Sequence, residues 1–280
     1  MDFFELLKVM VISLIEGITE WLPISSTGHM VLADEFIRLS FSPAFRDLFL
    51  VVIQLGAILA VVILYFSKLN PLSPSKSRYE REKTWSLWGK VFIGCIPAVV
   101  AGLLFDDTIE KLLQNNKLNG LVIGVMLAVV GVIFIWVERL LSQGKIKTHT
   151  KTVEEISIKD ALKVGLCQVL ALIPGTSRSG STIIGGLLSG LSREAVTEFT
   201  FFMGIPIMFG ASLLKIVKFK STISLVEWEY LIFAMAATFI ISMFAIKFII
   251  SYVKKNDFKV FGWYRVVLGL AVIIYFLVKK

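Results

Sequence analysis

The side chains best suited to chemistry lie in residues 16–30, within an apolar N-terminal region. Glu16 and Glu20 are four residues apart, so on a helix the two carboxylates share one face. Two ionised carboxylates on one face repel each other unless a cation compensates them, and their oxygen atoms suit a magnesium or calcium ion. The alternative is that one carboxylate is protonated, or is paired with a lysine in a structural role.

Three hydroxyl side chains and a histidine follow these carboxylates. Ser25, Ser26 and Thr27 come directly after Pro23 and Ile24, and His29 comes two residues later. The hydroxyls could cap a helix that begins near Gly28, or one of them could be a nucleophile that the imidazole deprotonates. A lone histidine is commonly a core residue. Beside two carboxylates and three hydroxyls, it is a candidate general acid or base.

A second polar stretch, residues 174–182, combines glycines, hydroxyls and an arginine. Backbone N–H groups at the start of a helix can surround an anion, and a guanidinium adds a two-pronged donor that suits phosphate. The alternative is a structural ion pair between Arg178 and Glu16 or Glu20. The candidate phosphate-binding residues are Gly175, Thr176, Ser177, Arg178, Ser179 and Thr182, together with Ser25 and Thr27 from the first stretch.

The composition indicates a multi-pass membrane protein. Hydrophobic residues make up 56% of the 280 residues, and the mean hydropathy is +0.80. The net positive charge lies mostly in short loops, where it serves topology and contact with lipid head groups. Because these charges form no basic face, nucleic-acid binding is excluded. Both cysteines, Cys95 and Cys167, lie in apolar segments, so we predict no disulfide framework.

The spacing of apolar segments predicts six transmembrane helices, since a spanning helix needs about 20 apolar residues. The predicted spans are 45–66, 86–105, 119–137, 198–217, 228–250 and 260–278. Two further apolar regions, 3–22 and 160–173, end at Pro23 and Pro174 and are followed by apolar runs too short to span. We interpret each as a re-entrant pair of half-helices with a polar tip, which is stable only when buried or lining a cavity.

The order of these segments predicts an internal repeat. A first repeat, 1–137, and a second, 158–280, each contain a re-entrant pair followed by three spans, and a basic linker, 138–157, joins them. Because three spans per repeat is odd, the second repeat enters from the opposite face. This all-α, inverted-topology architecture brings broken helices together near the midplane, so we expect the two tips to form one site within one membrane domain.

The distribution of Lys and Arg among the loops gives an expected orientation. The larger group includes the basic residues of the 138–157 linker, and cytoplasmic loops carry the excess of Lys and Arg. We therefore expect the tip near Glu16 and His29 to open to the outer face.

These motifs resemble those of a known family. The runs are Glu16-Gly-Ile-Thr-Glu20, Pro23-Ile-Ser-Ser-Thr-Gly-His29 and Pro174-Gly-Thr-Ser-Arg-Ser-Gly-Ser-Thr182. Together with the length and the order of spans, they resemble the bacterial undecaprenyl-diphosphate phosphatases of the bacitracin-resistance type. The resemblance covers essentially the whole chain, and no motif position departs from it.

The resemblance implies a hydrolase of the bacterial cell membrane that acts on a polyprenyl diphosphate lipid. It would convert undecaprenyl diphosphate to the monophosphate carrier used in cell-wall synthesis, which would explain bacitracin resistance. It implies a divalent cation at Glu16 and Glu20, a catalytic hydroxyl at Ser26, a catalytic histidine at His29 and a phosphate-binding Arg178. Ser26 would attack the terminal phosphorus; the less favoured alternative is attack by a metal-bound water. His29 would manage the proton, and Glu20 would hold the cation or orient His29.

A second class of function stays open. Inverted repeats with broken helices are also the architecture of secondary transporters, so the protein could move a phosphorylated lipid or anion across the membrane. A transporter needs no hydroxyl beside a proton-managing histidine, which favours the enzyme. The oligomeric state is left open, a homodimer included.

Overall fold

The chain is built from α-helices throughout the part that a computed structural model describes, residues 2–112 and 116–279, with side chains described outside 106–117. The helices of the first half are α1 (Phe3–Thr19), α2 (Ser26–Phe36), α3 (Pro43–Val52), α4 (Gln54–Leu64), α5 (Phe66–Leu69), α6 (Arg78–Leu112) and α7 (Asn116–Ser142). Those of the second half are α8 (Ile158–Gln168), α9 (Arg178–Leu188), α10 (Arg193–Lys218), α11 (Leu225–Val253) and α12 (Lys259–Val278).

Six segments of the described chain are long and apolar enough to cross a membrane, which confirms the predicted spans. They are Pro43–Leu64, Arg78–Phe105, Leu118–Ser142, Arg193–Lys218, Leu225–Val253 and Lys259–Val278. Large apolar side chains such as Phe92, Phe244 and Trp263 are exposed on these helices. In water such a surface would promote association, whereas in a bilayer it contacts lipid. The protein is therefore a multi-pass membrane protein.

The first span differs from a single straight helix. It consists of α3 and α4, which meet at Ile53 without a proline at the break. The amide of Ile53 bonds back to Phe49, and the amide of Gly56 bonds to the Ile53 carbonyl in a tighter turn. The break places Gln54 beside the polar residues described below.

Two pairs of shorter helices lie outside the six spans. Helices α1 and α2 pack together, as do α8 and α9, and an irregular turn separates the members of each pair. Helices α2, α8 and α9 have 11 residues each, about 16 Å at 1.5 Å per residue, which is half of a bilayer core. Pro23 and Pro174, where the sequence predicted the breaks, lie within these turns.

Small residues line the most extensive helix contact among the described residues, between α7 and α12. A Cβ atom on Gly124 would lie 3.0 Å from the Gly269 carbonyl oxygen, and one on Gly131 would lie 2.6 Å from the Gly262 carbonyl oxygen. Glycines let two membrane helices approach closely where lipid provides no hydrophobic driving force. This contact fixes α12 against the two turns that carry the candidate site.

Candidate active site

The turn between α1 and α2 is held in an unusual backbone conformation. Ser25 has a φ of +75°, in the left-handed region that a residue with a Cβ rarely adopts. Its buried hydroxyl accepts a hydrogen bond from the Gly28 amide at 3.2 Å and so caps α2. The capping interpretation is therefore correct for Ser25, and it leaves the next residue, Ser26, at the first position of the helix.

The turn before α9 repeats this conformation. Ser177 has a φ of +76°, and its hydroxyl accepts a hydrogen bond from the Gly180 amide at 3.1 Å. The next residue is Arg178, so the arginine occupies the place that Ser26 occupies in the first turn. Such strained residues persist only where the surrounding structure determines them, and they cluster at functional sites.

Glu20 joins the two turns. Its Oε2 atom accepts a hydrogen bond from the Ser26 hydroxyl at 2.6 Å, and its Oε1 atom pairs with Arg178 Nη2 at 2.7 Å. Both members of the ion pair are largely buried, with side-chain exposures of 8% and 12%. The structure therefore contains the ion pair that the sequence left open as an alternative, and it brings a hydroxyl, a carboxylate and a guanidinium into one contact.

The guanidinium of Arg178 is held from several sides. Nη1 donates to the Thr200 carbonyl oxygen at 2.6 Å, and the group lies 5.8 Å from the centre of the Trp21 ring. A Cβ atom on Gly204 would lie 2.8 Å from Nη1, so only a glycine leaves room for the guanidinium at that position of α10. These contacts orient the guanidinium toward the cavity that Glu20 and Ser26 also line.

His29 lies one turn along α2 from Ser26 and makes different contacts. Its Nδ1 atom is 2.7 Å from the Ser25 carbonyl oxygen, which can only accept, so Nδ1 carries a proton. Its Nε2 atom is 2.7 Å from the Tyr264 hydroxyl, and the two rings are parallel. In the neutral imidazole, Nε2 is therefore an acceptor. The Ser26 hydroxyl bonds to Glu20 and not to this imidazole.

Two connected cavities lie around these groups. A cavity of about 640 Å³ is lined by Glu16, Ser26 and Thr27, and its rim carries both acidic and basic side chains. A smaller cavity of about 160 Å³ is lined by Glu20, Ser26, Thr27 and Arg178. Because Ser26 and Thr27 line both cavities, these two residues lie between them.

The remaining predicted residues divide into two groups. Gly175, Ser177 and Ser179 line the smaller cavity, and the Ser179 hydroxyl donates to the Leu22 carbonyl oxygen across the turns. Thr176 and Thr182 lie behind the cavity wall. The Thr182 hydroxyl is fully buried and bonds to the carbonyl oxygens of Arg178 and Ser179, so it stabilises the first turn of α9.

Glu16 is the second carboxylate of the predicted pair. It is 1% exposed, and its Oε1 atom has no hydrogen-bond partner among the described residues. Both oxygens of Glu20 are engaged, whereas Glu16 faces the larger cavity with a free oxygen, and Gln54 lines the same space. No group of three or more His, Cys, Asp or Glu residues in the described chain is arranged to hold a metal ion.

The sequence interpretation missed two functional candidates on α12. Tyr264 bonds to His29, and the adjacent Arg265 is fully buried against the two turns. An arginine inside an apolar span is a signal in itself, because ionisable residues in membrane segments are costly. Its partners lie 89 to 242 residues away in the chain and could not be read from the sequence.

Comparison with known proteins decides the family. The model of one protein family, described as bacitracin resistance protein BacA, matches residues 9–271.

The chain belongs to the BacA family.

Proteins that resemble this BacA-family chain include the undecaprenyl-diphosphatase of Enterococcus faecalis strain V583, which is 52% identical over 280 residues, 99% of each chain. The undecaprenyl-diphosphatase of Desulfitobacterium hafniense is 48% identical over 99% of this chain and 98% of its own. Undecaprenyl-diphosphatase 1 of Clostridium acetobutylicum is 48% identical over 99% of this chain and 100% of its own. The likeness therefore extends over both turns.

Proposed function

We propose that this BacA-family chain is an undecaprenyl-diphosphate phosphatase of the bacterial cell membrane. It removes the terminal phosphate from undecaprenyl diphosphate and so recycles the lipid carrier for cell-wall synthesis. Removal of the diphosphate form gives resistance to bacitracin, in keeping with the description of the family. Relatives of full length carry the name undecaprenyl-diphosphatase.

One observation carries the proposal. Glu20 accepts a hydrogen bond from Ser26 on one oxygen and pairs with Arg178 on the other, at 2.6 Å and 2.7 Å. A nucleophile, a base and a phosphate-binding cation are the groups that phosphoryl transfer requires, because this reaction depends on positioning and charge neutralisation. A terminal phosphate that reaches Arg178 replaces Glu20 as its partner, which leaves the carboxylate to accept the Ser26 proton.

The first chemical step forms a bond between Ser26 Oγ and the terminal phosphorus. Glu20 takes the hydroxyl proton, the bond from that phosphorus to the bridging oxygen breaks, and undecaprenyl phosphate leaves. Arg178 offsets the charge on the transferring phosphate. In the second step water attacks the phosphoserine, the bond from phosphorus to Ser26 Oγ breaks, inorganic phosphate leaves, and Glu20 returns its proton to Ser26 Oγ. The proton of that water passes to the Tyr264 hydroxyl as this hydroxyl gives its own proton to His29 Nε2, the nitrogen without hydrogen in the neutral ring.

Glu16 is the residue best placed to hold a divalent cation, magnesium or calcium, with Glu20 as the second candidate. Glu16 lines the larger cavity, and its buried Oε1 has no hydrogen-bond partner among the described residues. Magnesium commonly binds one or two carboxylates and completes its shell with substrate phosphates and water, so a cluster of three acidic side chains is not required. When bound, the cation would neutralise negative charge on the diphosphate.

The architecture we propose is an inverted repeat, with units 1–137 and 158–280 joined by the linker 138–157, each opening with a re-entrant helix pair. The half-length helices and the equal φ values of Ser25 and Ser177 support it. So does the crosswise packing: α1 packs on α11 of the second unit, and α8 packs on α6 of the first. The two turns are then the tips that meet at the midplane.

The larger cavity would open to the outer face in this arrangement, with the basic linker in the cytoplasm. Labelling of single cysteines at the linker and at the cavity rim with a membrane-impermeant thiol reagent in intact cells tests this orientation. A homodimer is a further expectation, and the mass of the purified protein in detergent tests it.

Release of inorganic phosphate from undecaprenyl diphosphate by the purified protein in detergent tests the activity. We expect steady turnover that a chelator abolishes and that added magnesium or calcium restores. Because detergent carries no gradient, a transporter without hydrolytic activity would release nothing. Turnover that is insensitive to the chelator would remove the cation from the mechanism.

A rapid-quench experiment tests the nucleophile. A phosphoserine at Ser26 that forms and decays at the turnover rate supports attack by the hydroxyl. Phosphate that carries solvent oxygen, without any trapped phosphoserine, would support direct attack by water.

A further inference from the structure

We propose that Arg265 is a positioning residue that holds the two polar turns in register for the reaction. The proposal rests on the proposed phosphatase function and deepens it. Arg265 lies within the apolar helix α12, is 0% exposed and touches none of the groups assigned to the chemistry above. A buried guanidinium in a membrane protein is costly. Both terminal nitrogens of Arg265 are hydrogen-bonded, while its Nε has no partner among the described residues, so the contacts of the two terminal nitrogens identify its purpose.

The guanidinium binds both turns at once. Nη1 donates to the Pro23 carbonyl oxygen at 3.1 Å, and Nη2 donates to the carbonyl oxygens of Gly175 and Thr176 at 2.8 Å and 2.9 Å. Its partners are thus three backbone carbonyls that belong to two segments about 150 residues apart in the chain.

Arg265 binds the two turns at equivalent positions. Pro23 lies two residues before Ser25, and Gly175 lies two residues before Ser177. These serines carry the strained φ values of +75° and +76°. One planar cation therefore fixes the chain just ahead of both strained residues.

Irregular backbone inside a membrane leaves carbonyl groups without helical partners, and each unsatisfied group costs several kcal/mol. Arg265 satisfies three such groups with one side chain, which makes the turns stable where they are. Ser26 and Arg178 directly follow the strained serines, so the same grip determines the distance between nucleophile and phosphate-binding cation.

Helix α12 is itself held in place. A Cβ atom on Gly131 of α7 would lie 3.0 Å from the Cβ of Arg265, so the close glycine contact of the two helices sits directly behind the arginine. The guanidinium is therefore a rigid support rather than a mobile surface group.

The substitution Arg265→Lys tests this proposal. Lysine keeps the charge but has no planar fork and cannot span both turns. A misplacement of about 1 Å costs roughly hundredfold in rate, so we expect kcat for undecaprenyl diphosphate to fall about hundredfold. The matched control is Arg193→Lys, because Arg193 pairs with buried Glu138 away from the site. The control should keep kcat within about twofold of wild type.

A double-substitution cycle separates positioning from loss of folded protein. If Arg265 acts by placing Arg178, then Arg265→Lys should cost less than about threefold in an Arg178→Lys background, because residues that act as a unit are non-additive. A full hundredfold loss in that background would overturn the proposal, and so would an Arg265→Lys enzyme with near-normal kcat.

A gentler substitution, Gly180→Ala, applies if Arg265→Lys does not fold. The added Cβ would lie 3.3 Å from the Ser177 Cβ, which is a tight contact, and 3.4 Å from Arg265 Nη1, which is an ordinary one, so it shifts the strained serine relative to the guanidinium. We expect about a tenfold lower kcat with a melting temperature near that of wild type. An unchanged kcat would overturn the proposal. If the wild-type protein itself releases no phosphate, the proposed function fails instead.

Discussion

The two polar turns of this protein share a capping serine with a positive φ and have opposite chemistry. Each places a serine with a φ near +75° as the cap of an 11-residue helix, and each follows that serine with a functional side chain. In the first turn that side chain is Ser26, beside a carboxylate. In the second it is Arg178.

The equivalent positions of α1 and α8, nine residues before each capping serine, also differ in charge. Glu16 lies nine residues before Ser25, and Gln168 lies nine residues before Ser177. Both side chains are buried, and both have oxygen atoms without partners among the described residues. One position carries an ionisable group and the other carries a neutral amide.

This difference shows how one fold unit can serve two tasks. The backbone brings two helix starts together, and the side chains then divide the work, with negative charge and a nucleophile on one turn and positive charge on the other. If both turns carried carboxylates, they would repel each other and the diphosphate. Their contact at Glu20 and Arg178 is the direct result of that division.

The largest expected effect follows from the nucleophile itself. Ser26→Ala should lower kcat by about a thousandfold or more, since removal of a nucleophile in other hydrolases costs even more. The matched control is Ser181→Ala in the first turn of α9, where the hydroxyl donates back to the Ser177 carbonyl oxygen. We expect the control to keep kcat within about threefold. Steady-state phosphate release checks both, and equal losses would show that the turns are not chemically different.

The next effect concerns charge at the two buried positions. Glu16→Gln should lower kcat/KM by about hundredfold and remove the stimulation by magnesium or calcium, because it takes away the anionic ligand without changing shape. Gln168→Glu should keep the cation dependence and instead lower the melting temperature, because it buries a carboxylate without a partner. Titrations of activity against cation concentration check this. A cation response that survives in Glu16→Gln would contradict it.

A smaller effect is expected at the histidine of the first turn. Tyr264→Phe removes the hydroxyl that bonds to His29 Nε2 at 2.7 Å. We expect kcat to fall about tenfold, which is less than the loss of a general acid or base itself would cause. The control Tyr275→Phe lies on the same helix and loses only a contact with Glu35. Activity of both variants over a pH series measures this difference, and similar losses in the two would remove Tyr264 from the mechanism.

The six spans and the two broken helices were predictable because the signals are local. Hydropathy over about 20 residues marks a span, and Pro23 and Pro174 mark breaks in apolar segments. The break at Ile53 has no such mark, since neither proline nor glycine stands there. Tertiary contacts, which no local pattern encodes, fix that position.

The site was predictable in part, for the same reason. Glu20, Ser26 and Arg178 stand out as polar groups in apolar segments, and the structure brings them together. The pair of Glu20 and Arg178 was one of the alternatives, but the partner of Ser26 was not predicted: the sequence favoured His29 beside Ser26, whereas the carboxylate of Glu20 occupies that place. The hydrogen bonds of Arg265 to both turns could not be predicted, because they join segments that are distant in the chain and come together only in the folded protein.

The smallest expected effect compares the two capping serines. Ser25→Ala and Ser177→Ala each remove a cap, which costs about 1 kcal/mol, and leave an unfavourable positive φ on a residue with a Cβ. Ser25→Gly and Ser177→Gly also lose the cap, but glycine adopts that φ freely, so each should be more stable than the matching alanine variant. Thermal unfolding of the four variants in detergent measures this order. The same order in both turns means that the backbone supports them equally and that only side chains distinguish them. If glycine is more stable than alanine at only one of the two serine positions, then only that turn carries backbone strain.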